Sequence, residues 1–252
     1  VSTPHLSIVI PAFNEAARLP GTLRALADRF GGTATEVVVA DDGSTDGTAA
    51  VGAAASSPTL PVRVVRLPEN RGKGAAVRAG VAATTGAVVL FMDADLATDL
   101  AAVDEVLARL EHNDVVVGSR AVAGARVHDT TPLRTMMGRT FNGMVRAIAR
   151  LDVRDSQCGF KAYRGDVARL LFSLSKVDGF AFDPEVLLMA RILGYRIVEV
   201  PVDWTAVDGS SVRPLRDSAA TGVALVGVVL RRRPAAVRAA ARAQGWVPPE
   251  PG

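Results

Sequence analysis

The sequence has little from which a disulfide framework or a zinc site could be built. It contains one cysteine, Cys158, and three histidines, His5, His112 and His128, none of which falls in a motif. An intrachain disulfide and a Cys/His metal cluster are thereby excluded, and the composition fits a reducing cytosol. Long apolar runs are missing too. Uncharged stretches such as Ser218 to Leu230 fall short of the ~20 residues that span a bilayer. No charged segment or cleavage site precedes the first apolar run, LSIVI at 6–10, so no signal peptide is read. Neither charge sign is in large excess: the formal net charge is +3, too mild to imply a nucleic-acid partner. Internal repeats and evident linkers are also lacking. With 49% apolar and 22% charged residues, the 252 residues suffice for a packed core and do not read as disordered.

What is present is alternation of strands and helices. LSIVI precedes a helix with Leu19, Leu23, Leu26 and Phe30 on one face. EVVVA (36–40) precedes a Gly/Asp-rich turn and a short Ala-rich helix, and VRVVR (62–66) precedes a helix over 72–83. AVVLFMD (87–93) precedes a helix over 99–111, and DVVVGS (114–119) follows. Continuous Val/Ile/Leu runs between helices predict an α/β fold: a mostly parallel sheet, buried on both faces and flanked by helices. The second half is less regular. It reads as a helix over 132–150, a loop from 155 into a short strand by 163, helices over 164–173 and 184–193, a strand over 196–202 and a last helix over 217–231. A single domain over 1–232 is expected, followed by an Ala/Arg-rich tail, 233–252, that is partly disordered.

Ligands of open parallel sheets bind beyond the carboxyl ends of the strands. Four such ends here are polar: Pro11-Ala12-Phe13-Asn14-Glu15, Asp41-Asp42-Gly43-Ser44, Asp93-Ala94-Asp95 and Gly118-Ser119-Arg120. Alternate carboxylates leaving a strand, as in Asp93-Ala94-Asp95, can turn toward one hard cation, and Mg2+ or Mn2+ takes a few carboxylates plus phosphate and water oxygens. A helix cap or Asx-turn explains the same triplet locally. The DDGSTDG segment reads equally as a nucleoside-binding carboxylate or as a turn with a cap at Asp46. Asn70-Arg71-Gly72-Lys73-Gly74 opens a helix and suits anions, but lacks Walker A spacing. Cys158 reads as a buried small residue, since no neighbouring histidine activates it.

The run IVIPAFNEAARLP, VVVADDGSTDGT, NRGKGAAVRAG, LFMDADLAT and VVGSR resembles the family 2 glycosyltransferases with a GT-A fold. The later motifs DSQCGFKAYR, FAFDPEVL, EVPVDW and DGSSVRP resemble its dolichyl-phosphate β-glucosyltransferase branch rather than the related mannose synthases. The resemblance spans about residues 6–216. It implies a nucleotide-binding sheet and a less regular acceptor half. Nucleotide contacts would come from Pro11, Ala12, Asn14, Glu15, Asp41, Asp42, Lys73 and Asp93, with a Mg2+ or Mn2+ on Asp93 and Asp95. The chemistry would rest on Asp93, Asp95, Arg120, Asp155 and Asp183. Sugar or acceptor contacts would come from Gln157, Gly159, Lys161, Glu185, Ser210 and Arg213, the last two on a closing loop. Asp183, before Pro184, also reads as a helix cap, and Trp204 as core or channel lining. The family pattern has threonine at Ser156 and often lysine at Ser211, so the closing loop loses one cation.

The activity implied is inverting transfer of a hexose, with glucose from UDP-glucose favoured, to a polyprenyl phosphate. A lipid phosphate is already anionic near neutral pH, so no catalytic base is required. Alternatives are mannose or N-acetylglucosamine as the sugar, a soluble hydroxyl acceptor, and a non-catalytic nucleotide-sugar sensor. The partners implied are the sugar donor, the lipid acceptor and a membrane surface or membrane protein, on the cytoplasmic face of the plasma membrane. The apolar stretch 218–230 followed by Arg231, Arg232 and Arg233 reads either as an interfacial helix or as a terminal helix packed on the core.

Overall fold

The computed structural model describes residues 5–207, 224, 226–230 and 232–249. Its centre is a seven-stranded sheet of β1 (Leu6–Ala12), β2 (Thr35–Asp41), β3 (Val62–Arg66), β4 (Val88–Met92), β5 (Val115–Ser119), β7 (Phe160–Arg164) and β8 (Ile197–Pro201), in the order β3-β2-β1-β4-β7-β5-β8. All neighbours run parallel except β7, which is antiparallel to both β4 and β5. The chain steps outward from β1 to β3 and then returns to place β4 on the other side of β1. Loops after β1 and β4 therefore diverge, leaving a crevice at the strand ends between them.

The apolar runs divide by alternation into two cores. Leu6, Ile8 and Ile10 of β1 face α1 (Leu19–Phe30) and α4 (Ala102–Leu110), joined by Val37, Leu90 and Phe160. Val9, Val38, Val89 and Phe91 point the other way, into a core with α3 (Lys73–Ala82), α6 (Gly165–Leu174) and α7 (Phe182–Leu193). Burial on both faces explains why the strands read as continuous hydrophobic runs. The short α2 (Thr48–Ala54) covers β2 and β3, and α5 (Pro132–Ala149) lies in the second half with Val145 and Ala149 in the core. Two short strands, β6 (Arg126–His128) and β9 (Asp203–Thr205), form a separate parallel ribbon that the sequence did not announce.

The expected short strand in FKAYR fills the middle of the sheet, with Lys161 opposite Phe91 on one side and Val117 on the other. Part of the expected Ala/Arg-rich tail, 233–252, is ordered. Pro234–Arg242 is a helix, α8, whose Val237 and Ala241 are buried with Trp246 in the same core as α7. An apolar face built from small alanines beside arginines hid that helix in the composition. Of the expected helix over 217–231, residues 224 and 226–230 are described and are helical. Among the described residues no helix is long and apolar enough to cross a membrane.

Candidate active site

At the ends of β1 and β4 a cleft of ≈ 220 Å³ is bordered by Pro11, Ala12, Glu15, Asp42, Lys73, Asp93 and Asp95, with Phe13, Arg18, Gly72 and Phe180 completing its walls. The two nucleotide-side loops are tied together. Asn14, in the left-handed region at φ 55, accepts from the Thr45 N–H at 2.9 Å, and its own N–H donates to the Ser44 hydroxyl at 2.9 Å. Asp42 accepts from the backbone N–H groups of Arg71 at 2.9 Å and Gly72 at 2.7 Å, which fixes the start of α3 beside it. Burial pushes the Asp42 carboxyl above its ordinary range despite those two bonds. Glu15 is held by Arg18 through two bonds of 2.6 Å.

Across the cleft, Asp93 leaves β4 and its Oδ1 lies 2.6 Å from the Lys73 ammonium. Burial raises the Asp95 carboxyl, the neighbouring Asp93 charge adds to this, and Lys73 and Arg18 oppose it. Two mutually repelling carboxylates at the rim of a polar cleft are a donor set that a hard divalent cation satisfies, the remaining ligands being phosphate and water oxygens. Among the described residues no group of three or more His, Cys, Asp or Glu side chains could hold a metal by protein ligands alone. A cation on Asp93 and Asp95 therefore depends on oxygens brought by a bound diphosphate.

Two further ion pairs lie deeper. Arg120 donates from Nε to Asp155 Oδ2 at 2.7 Å and from Nη2 to Oδ1 at 3.0 Å, a fork-to-fork pair. Its guanidinium also lies 5.1 Å from the centre of the Trp204 ring. Burial would raise Asp155, but the Arg120 charge, its hydrogen bonds and the Lys161 charge together outweigh it and hold the carboxyl below its ordinary range. Asn142 and the Arg120 N–H add two more bonds to Asp155, so its oxygens are fully engaged. Behind Asp93, Lys161 is completely buried and donates to Asp183 Oδ1 at 2.6 Å and to the Cys158 carbonyl at 2.5 Å. Burial lifts Asp183 above its ordinary range against the pull of Lys161 and Lys73. The Cys158 thiol is pushed up to about 12 by burial, which leaves it no nucleophilic role.

This arrangement has known counterparts. The model of the family described as "Glycosyl transferase family 2" matches residues 7–172. The chain belongs to glycosyl transferase family 2. Within that family it resembles the dolichyl-phosphate β-glucosyltransferase branch. It is 34% identical over 230 residues to the dolichyl-phosphate beta-glucosyltransferase of Dictyostelium discoideum, covering 85% of this chain and 70% of that one. Identity to the enzyme of the same name from Drosophila melanogaster is 37% over 227 residues, covering 83% and 70%. Its fold is the GT-A fold. It superposes with a TM-score of 0.65 and 23% identity on glucosyl-3-phosphoglycerate synthase from Mycobacterium tuberculosis, solved with Mn2+, uridine-diphosphate and glucosyl-3-phosphoglycerate, covering 91% of this chain and 80% of that one.

Not all of the residues expected from the sequence reach the cleft in this family 2 chain. Pro11, Ala12, Glu15, Asp42, Lys73, Asp93 and Asp95 border the cleft. Asn14 and Asp41 stand behind it: Asn14 fastens one loop to the other, and the wholly buried Asp41 accepts from the Ser44 N–H and faces Arg66 at 3.3 Å. Lys161 and Asp155 are locked into ion pairs beneath the surface, so neither is open to an acceptor. Glu185 is the clearest correction. Its side chain points away from the cleft and accepts from the Ser175 hydroxyl, the Lys176 and Val177 N–H groups and the Arg232 guanidinium. It anchors the C-terminal segment rather than a sugar. Ser210 and Arg213 lie outside the described residues.

Gln157 donates to the Phe180 carbonyl at 3.4 Å, and Gly159 lies directly against the Asp93 carboxylate. A Cβ at Gly159 would fall inside that carboxylate, and the Asp93 N–H already bonds the Gly159 carbonyl at 3.1 Å, so the backbones cannot part and the Asp93 side chain must swing aside. Gly159→Ala is therefore expected to displace Asp93 and lower turnover at least tenfold with little loss of the folded state, checked by initial rates beside a thermal melt. Sequence reading missed Arg18 and Phe180 as cleft walls. The spacing of Arg18 three residues after Glu15, and the place of Phe180 in the FAFDPEVL motif, were the available signals.

Proposed function

We propose that this chain transfers glucose from UDP-glucose to a polyprenyl phosphate with inversion at the anomeric carbon, giving a β-linked lipid-phosphate sugar. The observation that carries the acceptor class is the commitment of the deep carboxylates. Asp155 is locked to Arg120 and Asp183 to Lys161, so neither is free to deprotonate a hydroxyl. Such a site suits an acceptor that arrives as an anion. The names of the Dictyostelium and Drosophila relatives support the sugar and the lipid.

In this reading Pro11, Ala12, Glu15 and Asp42 hold the nucleoside, and Lys73 moves from Asp93 onto the diphosphate. Asp93 and Asp95 would hold Mg2+ or Mn2+, which when bound neutralises charge on the departing nucleotide. The Mn2+ and uridine-diphosphate bound together in the Mycobacterium tuberculosis neighbour support that pairing. Arg120, oriented by Asp155 and stacked on Trp204, grips the acceptor phosphate. Lys161 holds Asp183 in place beneath the sugar subsite, and Gln157 and Gly159 border it. Ser210 and Arg213 are assigned to a closing loop. Val226 and Leu230, 45% and 70% exposed, would rest with Arg233 on the cytoplasmic face of an anionic membrane, bringing the cleft to its acceptor.

The test is transfer of radiolabelled hexose to a short-chain polyprenyl phosphate, with Mn2+ or with chelator. Lipid labelling from UDP-glucose that the chelator abolishes is the expected result. Labelling only from GDP-mannose or UDP-N-acetylglucosamine would correct the sugar. Binding of donor with no lipid labelling from any of them would overturn the reading. The rate is expected to rise with pH through about 6, the second ionisation of a phosphomonoester, and then to stay flat. A continued rise into the alkaline range would instead reveal a hydroxyl acceptor and a general base.

A further inference from the structure

A second cavity, of ≈ 700 Å³, lies at the opposite end of the sheet from the cleft. It is bordered by the residues that precede β5 and β8, the last residues of β7 and the C-terminal ends of α7 and α8. Five arginines line it, Arg164, Arg191, Arg196, Arg238 and Arg242, against one carboxylate, Asp114. That carboxylate is already engaged, accepting from the Arg196 N–H at 2.8 Å and facing Arg164 at 3.7 Å. Arg238 donates to the Ile192 carbonyl at 3.2 Å. Among the described residues, the side chains of Arg191, Arg196 and Arg242 have no ion-pair or hydrogen-bond partner. Arg191 and Arg242 sit in the last turns of their helices, where the dipole favours a cation, but that alone does not explain why five guanidinium groups converge on one hollow.

Trp246 lines the same cavity and is 9% exposed, its indole Nε1–H turned inward beside the Tyr195 hydroxyl. Ile192 and Leu193 add an apolar wall beside the indole. The volume falls within the range of about 300–1,000 Å³ typical of small-molecule sites.

We propose that this cavity binds a soluble small molecule carrying two or more phosphate groups, its oxygens shared among Arg191, Arg196 and Arg242. Guanidinium forks match phosphate bidentately, and the apolar wall leaves room for a carbon skeleton. The site is independent of the transfer reaction, since none of these residues borders the cleft.

The chain has two tryptophans, so a uniformly 15N-labelled sample gives two indole resonances, one for each end of the molecule. Trp204 stacks on Arg120 and reports the cleft; Trp246 reports the cavity. Sodium tripolyphosphate, titrated with chelator present, is expected to shift the Trp246 indole saturably. The exposed double variant Arg191→Gln/Arg242→Gln should weaken that binding by about tenfold or more, two charge-assisted bonds being lost, with an unchanged melting curve. A shift confined to Trp204, no shift at millimolar tripolyphosphate, or equal affinity in the double variant would each overturn the proposal. So would arginine-dependent binding to phosphatidylglycerol vesicles without a Trp246 response to tripolyphosphate, which would make this face a headgroup surface.

Discussion

Asp95→Asn is expected to reduce glucosyl transfer by about 10²–10³, the scale on which losing one charge-stabilising group costs a transition state, while leaving the fold intact. Asp95 Oδ1 accepts from the Ala97 N–H at 3.1 Å, and the carbonyl oxygen of an asparagine can keep that bond. What the change removes is charge. Asp95 is held above the ordinary carboxylate range by burial and by Asp93, which means the site sustains a negative charge it does not itself neutralise. That charge is useful only to a cation. The expected pattern is a melting temperature near the parent's, a large fall in kcat, and loss of Mn2+ binding measured by electron paramagnetic resonance in the presence of UDP. Full activity in the variant, or in chelator, would remove the cation from the proposed reaction and leave Lys73 as the counter-charge for the diphosphate.

Lys161→Met is expected to cost about 3–5 kcal/mol of stability, because it strands a buried carboxylate without its counter-ion. Lys161 is wholly buried and Asp183 is 4% exposed, so solvent screens neither. The same change made together with Asp183→Asn should recover most of the loss, since the pair as a whole has little net worth in a dry site. Urea unfolding of the parent, both single variants and the double variant closes the cycle, and a cost below about 1 kcal/mol for Lys161→Met, the value of a surface pair, would contradict the burial. Activity separates structure from chemistry. A double variant that folds and still transfers glucose would make the pair a structural filling, whereas one that folds and is inactive would assign Asp183 to the sugar.

How much of this was legible beforehand follows from how local each feature is. The ends of β1, β2, β4 and β5 carried their polar residues in plain view, because a strand end and its turn are adjacent in the chain. Asp93 and Asp95 needed no tertiary information for their spacing, and the cleft does contain them. Lys161 shows the opposite case. A lysine in a motif reads as a ligand for an anion, and only the antiparallel insertion of β7 between β4 and β5 reveals that it lies under the sheet. Glu185 fails for the same reason: four hydrogen-bond partners from residues 175–177 and 232 come together only when α6, α7 and the C-terminal segment pack. Helix α8 was obscured by its composition, since its apolar face, though regularly spaced, is built of alanine and one valine among arginines rather than of leucine.

The central place of β7 also has a consequence for synthesis. β4 is VVLFM, fully buried, and the partner for its free edge is residues 160–164. A ribosome working at roughly 5–20 residues per second needs roughly four to fifteen seconds to pass from Asp93 to Arg164. Through that interval the nascent chain carries an unpaired apolar edge, the kind that recruits other strands. A fragment ended after Ser119 would carry that edge permanently, so the nucleotide-side half is not a separable module despite its continuous sequence. Chaperone engagement during translation would fall in this window, before Arg164 has emerged.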